Sequence, residues 1–419
     1  MLDQLAGYPI FHVFDLPREI RFIEFIIVLG FFIFSYFKNK QNKEYIEPEY
    51  LFIPWILPVI ALTGGLLNNV GMTDIFQGLY LYTSPLLVFY TALWLKIESK
   101  DLLKLRTVVF IIMLFNIPAW IYEVNVYYSF DGNGDNVNGM LRDAHLFAAF
   151  FYFGVIYCFS LAILKRSIIW AIGAILFFIV GFMAINEKAT LFLGPILFSV
   201  LVGITEIKLK RLILPLLLFG LIGYAAYSVG ESIMAKTDTK IRVDIFEDND
   251  LSDIGTIVAY VQLPLVFAEV PTALIYGAGS GNYGSSIALR RNVEGTETDL
   301  SKRYVGDLEL AGAVGAFAWK TNYLIGTLVE FGLIFTFILL SFYYRVGKRI
   351  VFVFKTIAET EDKGVISYVL GSLALLWMTA LVSNISNLDE GILVYPIMIA
   401  AAVICGKKTD GENREMEKS

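Results

Sequence analysis

Long apolar runs recur along this 419-residue sequence, and they restrict its fold more than any other feature. An α-helix needs roughly 20 apolar residues to cross the ~30 Å hydrocarbon core of a bilayer, and about eleven runs approach that length. They lie near 19–37, 51–67, 79–96, 105–122, 144–164, 167–185, 190–206, 211–229, 321–344, 365–384 and 390–405. Hydrophobic residues make up 57% of the chain, charged residues only 17%, and the mean hydropathy is +0.66. The sequence therefore predicts an all-α polytopic integral membrane protein of about 11–12 transmembrane helices.

Basic residues fall in every second connection between the predicted helices. These connections hold Lys38, Lys40 and Lys43; Lys96, Lys100, Lys104 and Arg106; Lys165 and Arg166; Lys208, Lys210 and Arg211; Arg345, Lys348, Arg349 and Lys355; and Lys407 and Lys408. Cytoplasmic loops hold an excess of Lys and Arg, so the pattern predicts a cytoplasmic C-terminus and one large extracytoplasmic loop. The predicted parts are an N-terminal transmembrane bundle over 1–229, the extracytoplasmic loop with interfacial helices over 230–320, C-terminal transmembrane helices over 321–405, and a disordered cytoplasmic tail over 406–419.

The N-terminus leaves room for a twelfth helix. Residues 1–16 are apolar but are interrupted by Asp3, Pro9 and Asp15. A helix there would change only the side of the membrane on which the N-terminus lies. The first long run is not followed by a signal-peptide cleavage pattern, so we expect the first helix to be retained.

The sequence gives little support for metal, nucleotide or nucleic-acid chemistry. Cys158 and Cys405 fall within predicted spans, where small buried hydrophobic residues are expected. His12 and His145 are the only histidines and form no cluster with metal-ligand spacing. The sequence also has neither a Walker loop nor a Rossmann fingerprint. We therefore expect no cofactor, no metal and no nucleic-acid partner.

Residues 256–275 in the large loop are apolar but contain Gln262, Pro264, Glu269 and Pro271. A segment with two prolines and a glutamate fits the membrane interface or a cavity wall better than a lipid-crossing helix. The alternative, a full span, would place the basic residues 345–355 outside, against the charge rule.

The large loop also carries many cations. They are Lys236, Lys240, Arg242, Arg290, Arg291, Lys302, Arg303 and Lys320. One interpretation is a solvated extracytoplasmic cap of mixed charge. The other is an anion site, since Arg and Lys neutralise phosphate and Arg binds it through two hydrogen bonds.

Four segments resemble, in order, motifs of the O-antigen polymerase and O-antigen ligase superfamily. They are Asn138–Ala148 entering a helix, Asn186–Leu191 between two helices, Glu269–Tyr283 with its Gly-Ala-Gly-Ser-Gly run, and Lys320–Gly332 entering the next helix. The resemblance covers roughly residues 138–345. Two positions depart from the pattern: Lys188 stands where the family usually has Arg, and Lys320 stands where O-antigen ligases carry a His regarded as catalytic.

The resemblance implies metal-independent glycosyl transfer at the outer leaflet of a bacterial cytoplasmic (inner) membrane. The donor would be a glycan on undecaprenyl diphosphate, and the fold would be related to the GT-C membrane glycosyltransferases. Without the ligase His, a polymerase of O-antigen, capsule or exopolysaccharide repeat units leads, with a chain-length regulator and a flippase as candidate partners. An O-antigen ligase acting on lipid A core or another acceptor is the alternative. A polysaccharide or lipid transporter, a different class, predicts charges near the bilayer midplane and an internal repeat, and the sequence shows neither clearly.

The resemblance also nominates site residues. Candidates to bind the diphosphate are Arg242, Lys188, Arg290 and Arg142. Candidates for the catalytic groups are Lys320, Glu187, His145 and Asp143. Candidates to contact glycan are Gly277, Gly279, Gly281, Asn282, Tyr283, Asn322 and Tyr323. A leaving diphosphate gains charge as its bond breaks, which cations stabilise, and an acceptor hydroxyl needs a proton acceptor.

Each nominated residue type also has a structural explanation. A Lys at a helix end reaches water while its stem lies along lipid, and His145 fits a hydrogen-bonded structural histidine equally well. The glycines either present N–H groups to a phosphate or sugar, or allow the loop to turn. Aromatic residues such as Tyr283 either stack on sugars or anchor the chain at the membrane interface.

Overall fold

All regular structure is α-helical in the part of the chain that the computed structural model describes, namely residues 20–42, 53–97, 99–130, 144–184, 263–283, 298–300, 323–357, 360–382 and 391–406. The helices are α1 (Ile20–Asn42), α2 (Ile53–Leu67), α3 (Met72–Trp94), α4 (Ser99–Phe130), α5 (Ala144–Lys165), α6 (Ile168–Ala184), α7 (Ala273–Tyr276), α8 (Tyr323–Thr356), α9 (Thr360–Val382) and α10 (Gly391–Cys405). The all-α prediction is confirmed over these residues. Each predicted run that falls on them contains one helix, whereas the runs 190–206 and 211–229 lie outside them. Among the described helices, α8 is the one long and apolar enough to cross a membrane.

The helices pack as a continuous row. Helix α6 packs on α5, α5 packs on α9, and α9 contacts both α8 and α10. Next to α10 lies α3, which contacts α10, α1 and α2. We call this side-by-side array the helix row. Helix α5 is apolar on every side, and its residues 150–161 are all buried, as expected for a helix enclosed by neighbours.

Three helices end in the same tight way. Asn69, Lys96 and Arg166, just after α2, α3 and α5, have φ of 53°, 52° and 50°, the left-handed conformation that closes many helices. After α2, the Val70 N–H donates to the Gly65 carbonyl at 2.9 Å. These caps reverse the chain within a few residues, so α2 lies against α3 and α5 against α6.

Helix α8 differs from its prediction. We expected a span over 321–344 followed by a basic connection, but the helix continues through those basic residues to Thr356. Val346, Ile350 and Val353 are fully buried at helical spacing, so one face of the basic segment packs on the protein. The prediction of a connection at 345–355 is therefore wrong. Helix α8 also contains a break at Gly332, where φ is 83° and ψ is 173°.

Basic residues gather on one side of the helix row, where the helix axes end. We call this side the basic end. There Gly406 after α10 lies against Leu93 of α3, and Gly364 of α9 lies against Leu161 of α5. The Arg349 Nε in the last part of α8 donates to the Cys405 carbonyl at 3.4 Å. The described basic residues toward this end of α3, α5, α8 and α9 are Lys96, Lys165, Arg166, Arg345, Lys348, Arg349, Lys355 and Lys363. The α2–α3 turn and the start of α8 lie at the opposite end, which we call the loop end.

Candidate functional site

The glycine-rich loop 277–283 fills the break in α8. In an unbroken α-helix, each carbonyl accepts from the N–H four residues later. The break at Gly332 frees the carbonyls of Val329 and Glu330, which accept instead from the N–H groups of Ala278 at 2.7 Å and Gly279 at 3.0 Å. The loop therefore supplies donors that the helix lacks at this point.

The Glu330 side chain binds the same loop a second time. Its carboxylate is only 1% exposed and accepts from the N–H of Gly281 at 2.9 Å and from the N–H of Tyr283 at 3.3 Å. A buried carboxylate is costly unless hydrogen bonds replace its lost water. Residues 329–330 thus accept four N–H groups from residues 278–283.

Two glycines make this contact sterically feasible. Gly277, with φ of 82°, lies so close to α8 that a Cβ built on it would overlap the carbonyl of Glu330. A Cβ on Gly332 would overlap the carbonyl of Ile275 and fall near the Gly277 nitrogen. Both positions therefore need glycine for its positive φ and for the close approach of two backbones.

The α2–α3 turn holds the loop from the other side. The Asn68 Nδ2 donates to the Gly64 carbonyl at 2.7 Å and to the Gly277 carbonyl at 2.9 Å. Ser280, 3% exposed, lies directly against Gly78 of α3. Three segments that are distant in sequence therefore meet at the loop end: the α2–α3 turn, the loop 277–283 and residues 329–332 of α8. We call this contact the junction.

The three loop glycines donate their N–H groups within the protein. The Gly277 N–H donates to the Ala273 carbonyl at 3.1 Å, the Gly279 N–H to the Glu330 carbonyl, and the Gly281 N–H to the Glu330 carboxylate. In this structure these N–H groups are therefore engaged within the protein, and a phosphate or sugar contact of the loop stays a prediction. The anion that the loop surrounds is the side chain of Glu330.

The loop aromatics are also used internally. Tyr283 has no exposed surface and packs in a small cluster with Val266, Ile325 and Val329. Tyr323 is 8% exposed and lies against Tyr82 with ring centroids 5.1 Å apart. Both tyrosine side chains are therefore buried in this structure, and their contact with glycan stays a prediction.

Asn282 is the predicted glycan-loop residue that keeps part of its surface among those described. Its Nδ2 donates to the Ala278 carbonyl at 2.7 Å, and its own carbonyl accepts from the Thr298 Oγ1 at 2.7 Å. Asn282 therefore sits at the accessible edge of an otherwise closed loop.

The proline-containing segment before the loop is broken. Its described part is helical over 263–269, turns at 270–272, and continues as α7. Pro271 lies in the turn, where proline disfavours a helical residue before it. A helical piece over 263–269 spans only about 10 Å, which is too short to cross the ~30 Å hydrocarbon core. Its position at the interface or in a cavity wall stays a prediction.

Most of the nominated charged groups lie outside the described residues. They are Lys320, Glu187, Asp143, Arg242, Lys188, Arg290 and Arg142. The glycan candidate Asn322 also lies outside the described residues. His145 lies in the first turn of α5, without a described side chain. Their roles therefore stay predictions. No group of three His, Cys, Asp or Glu side chains able to hold a metal occurs in the described part.

Two residues of this junction were given no role from sequence, namely Glu330 and Asn68. Glu330 had a signal, because it is the only acidic residue in the 34-residue helix α8. A charge inside such an apolar helix marks a functional or structural contact. Asn68 gave none, since an Asn after a helix is usual at a turn.

Comparison with known proteins adds no relative. No protein-family model matches the chain, and a search of curated proteins finds no match. The likeness to the O-antigen polymerase and ligase superfamily therefore stays a resemblance of short sequence motifs.

Proposed function

We propose that this chain is an integral membrane glycosyltransferase that polymerises undecaprenyl-diphosphate-linked repeat units at the outer leaflet of a bacterial cytoplasmic membrane. One observation carries the proposal. Two motif segments that resemble the polymerase and ligase superfamily, Glu269–Tyr283 and the 323–332 part of the next, pack backbone against backbone. Short motifs that matched by chance would have no reason to meet.

The surface of the described helices supports a lipid environment. Large apolar side chains are exposed along them, including Phe31, Phe34 and Phe37 on α1, Ile168 and Ile169 on α6, and Phe337 and Tyr344 on α8. Soluble monomers rarely expose contiguous apolar patches of this kind, whereas lipid-facing helices require them. This supports a polytopic membrane protein, and we propose a GT-C-like architecture for it.

The separation of charge supports the orientation. The basic helix ends lie opposite the loop end, where the motif segments meet. If the basic end faces the cytoplasm, the loop end faces the outer leaflet. A lipid-linked glycan that has been moved across the membrane arrives on that side.

In the proposed reaction, the nominated charged residues carry the chemical steps, and the junction supports them. Cations such as Arg242 and Lys320 would stabilise charge on the departing diphosphate, and a carboxylate or His145 would accept the proton of the attacking hydroxyl. The junction holds two of the motif segments in contact, and catalytic groups need such support from the residues around them.

The experiment is deletion of the gene, followed by gel and mass-spectrometric analysis of surface and lipid-linked glycans. We expect single repeat units in place of long chains, restored by the wild-type gene on a plasmid. Long chains left on undecaprenyl diphosphate would contradict polymerase and identify a ligase. Unchanged glycans would contradict both and favour a transporter.

A further inference from the structure

We propose that Glu330 is a positioning residue, which fixes the loop 277–283 in one register on α8. It thereby sets the geometry of the surface that the loop and α8 form at the loop end, which we call the catalytic face. The effect on catalysis rests on the proposed function. The anchoring of the loop rests on the hydrogen bonds alone.

The loop presents main-chain N–H donors to the Glu330 carboxylate. Gly279 and Gly281 have φ of 94° and 76°, and the N–H groups of Gly281 and Tyr283 both donate to the Glu330 carboxylate. Main-chain N–H groups that converge on one point can bind an anion. Here the anion comes from the protein, because the Glu330 carboxylate occupies it.

Two separate sets of hydrogen bonds determine the register of the loop on α8. The main-chain carbonyls of residues 329 and 330 bind the first half of the loop, and the Glu330 carboxylate binds the second half. Removing the carboxylate leaves the first pair of bonds intact and removes the acceptor of the Gly281 and Tyr283 N–H groups. The loss is therefore local to the part of the loop that carries Asn282.

The burial of Glu330 argues against a direct chemical role for its carboxylate. Glu330 is 1% exposed and both carboxylate oxygens accept main-chain N–H groups. A general base must reach the proton that it removes. Glu330 therefore acts through the loop that it holds, and a displacement of about 1 Å at a catalytic face is enough to lower turnover roughly 100-fold.

The test compares Glu330→Gln and Glu330→Ala with a matched control, Thr327→Val. Thr327 is buried one turn earlier on α8, and its hydroxyl donates to the Tyr323 carbonyl at 2.7 Å within the helix. Hydrogen–deuterium exchange of the purified protein would follow the main-chain amides of the loop. We expect about tenfold faster exchange at Gly281 and Tyr283 in Glu330→Ala, a smaller increase in Glu330→Gln, and none in Thr327→Val.

The same preparations would be assayed on lipid-linked repeat units extracted from the deletion strain. We expect kcat per folded molecule to fall at least tenfold in Glu330→Ala with KM unchanged, and to recover in part in Glu330→Gln. A residue needed only for folding would lower the amount of folded protein and leave kcat per folded molecule unchanged. If Glu330→Ala does not accumulate, the near-isosteric Glu330→Gln decides both measurements.

Unchanged exchange at Gly281 and Tyr283 would overturn the anchoring. Faster exchange with undiminished kcat would overturn the positioning role. If the wild-type protein does not consume the lipid-linked repeat units, the proposed function fails and the catalytic half of this inference fails with it, while the exchange result still decides the anchoring.

Discussion

Single residues decide whether two distant segments of this chain can touch. Gly332 breaks α8, and Gly277 lets the loop approach the break without a side chain between the two backbones. The carboxylate of Glu330 then accepts hydrogen bonds from main-chain N–H groups of the loop in place of water. Gly332 provides the space that the loop needs, and Glu330 provides the acceptor for its N–H groups. These two residues lie within one turn of α8.

Gly332→Ala should be strongly destabilising. An alanine at φ of 83° is strained, and its Cβ would overlap the Ile275 carbonyl, so we expect a loss of about 2 kcal/mol or more. The control is Gly347→Ala on the same helix, where a Cβ meets nothing within 4 Å. It should be neutral or stabilising by up to about 1 kcal/mol. Thermal unfolding in detergent measures both, and equal stability of the two variants would contradict the packing at the break.

At the scale of elements, α8 joins the loop end to the basic end. Its first part binds the loop, and its middle packs aromatic rings into α3, with Phe342 and Phe89 centroids 5.2 Å apart. Its last part carries the basic residues above a buried apolar stripe. Helix α8 is therefore the element whose packing links the two ends.

Phe342→Ala should lower the stability of the helix row. Phe342 is fully buried, so truncation leaves a cavity and is expected to cost about 3–5 kcal/mol. Phe337→Ala is the matched control on the same helix, because Phe337 is 68% exposed and leaves no cavity. Unfolding temperatures of the purified variants compare them. A Phe337→Ala loss as large as that of Phe342→Ala would show that the exposed face of α8 is covered.

The sequence predicts the existence of these elements better than their details. Apolar runs locate α8 because burial or lipid contact requires them. They do not locate the break, since glycine is common in transmembrane helices. Charges at 345–355 favoured a connection, although the spacing of Val346, Ile350 and Val353 indicated a helix. The motif resemblance named the loop but not its partner, because N–H groups that surround phosphate and those that surround Glu330 come from the same glycine-rich pattern.

At the scale of the whole molecule, the two ends of the helix row differ in chemistry. One end holds the basic helix termini, and the other holds the junction of α2, α7 and α8. Under the proposed function this asymmetry is required. The lipid-linked donor must meet the motif segments on one side, and the charge pattern must fix that side during insertion.

Cysteine labelling tests this orientation directly. In a Cys158→Ala, Cys405→Ser background, Thr272→Cys places an exposed thiol at the loop end and Lys348→Cys places one at the basic end. A membrane-impermeant maleimide should label Thr272→Cys in intact spheroplasts and Lys348→Cys only after the membrane is opened. Both sites should react in detergent, which controls for accessibility. Labelling of Lys348→Cys alone in intact spheroplasts would invert the topology, and it would place the junction on the side where a translocated glycan is absent.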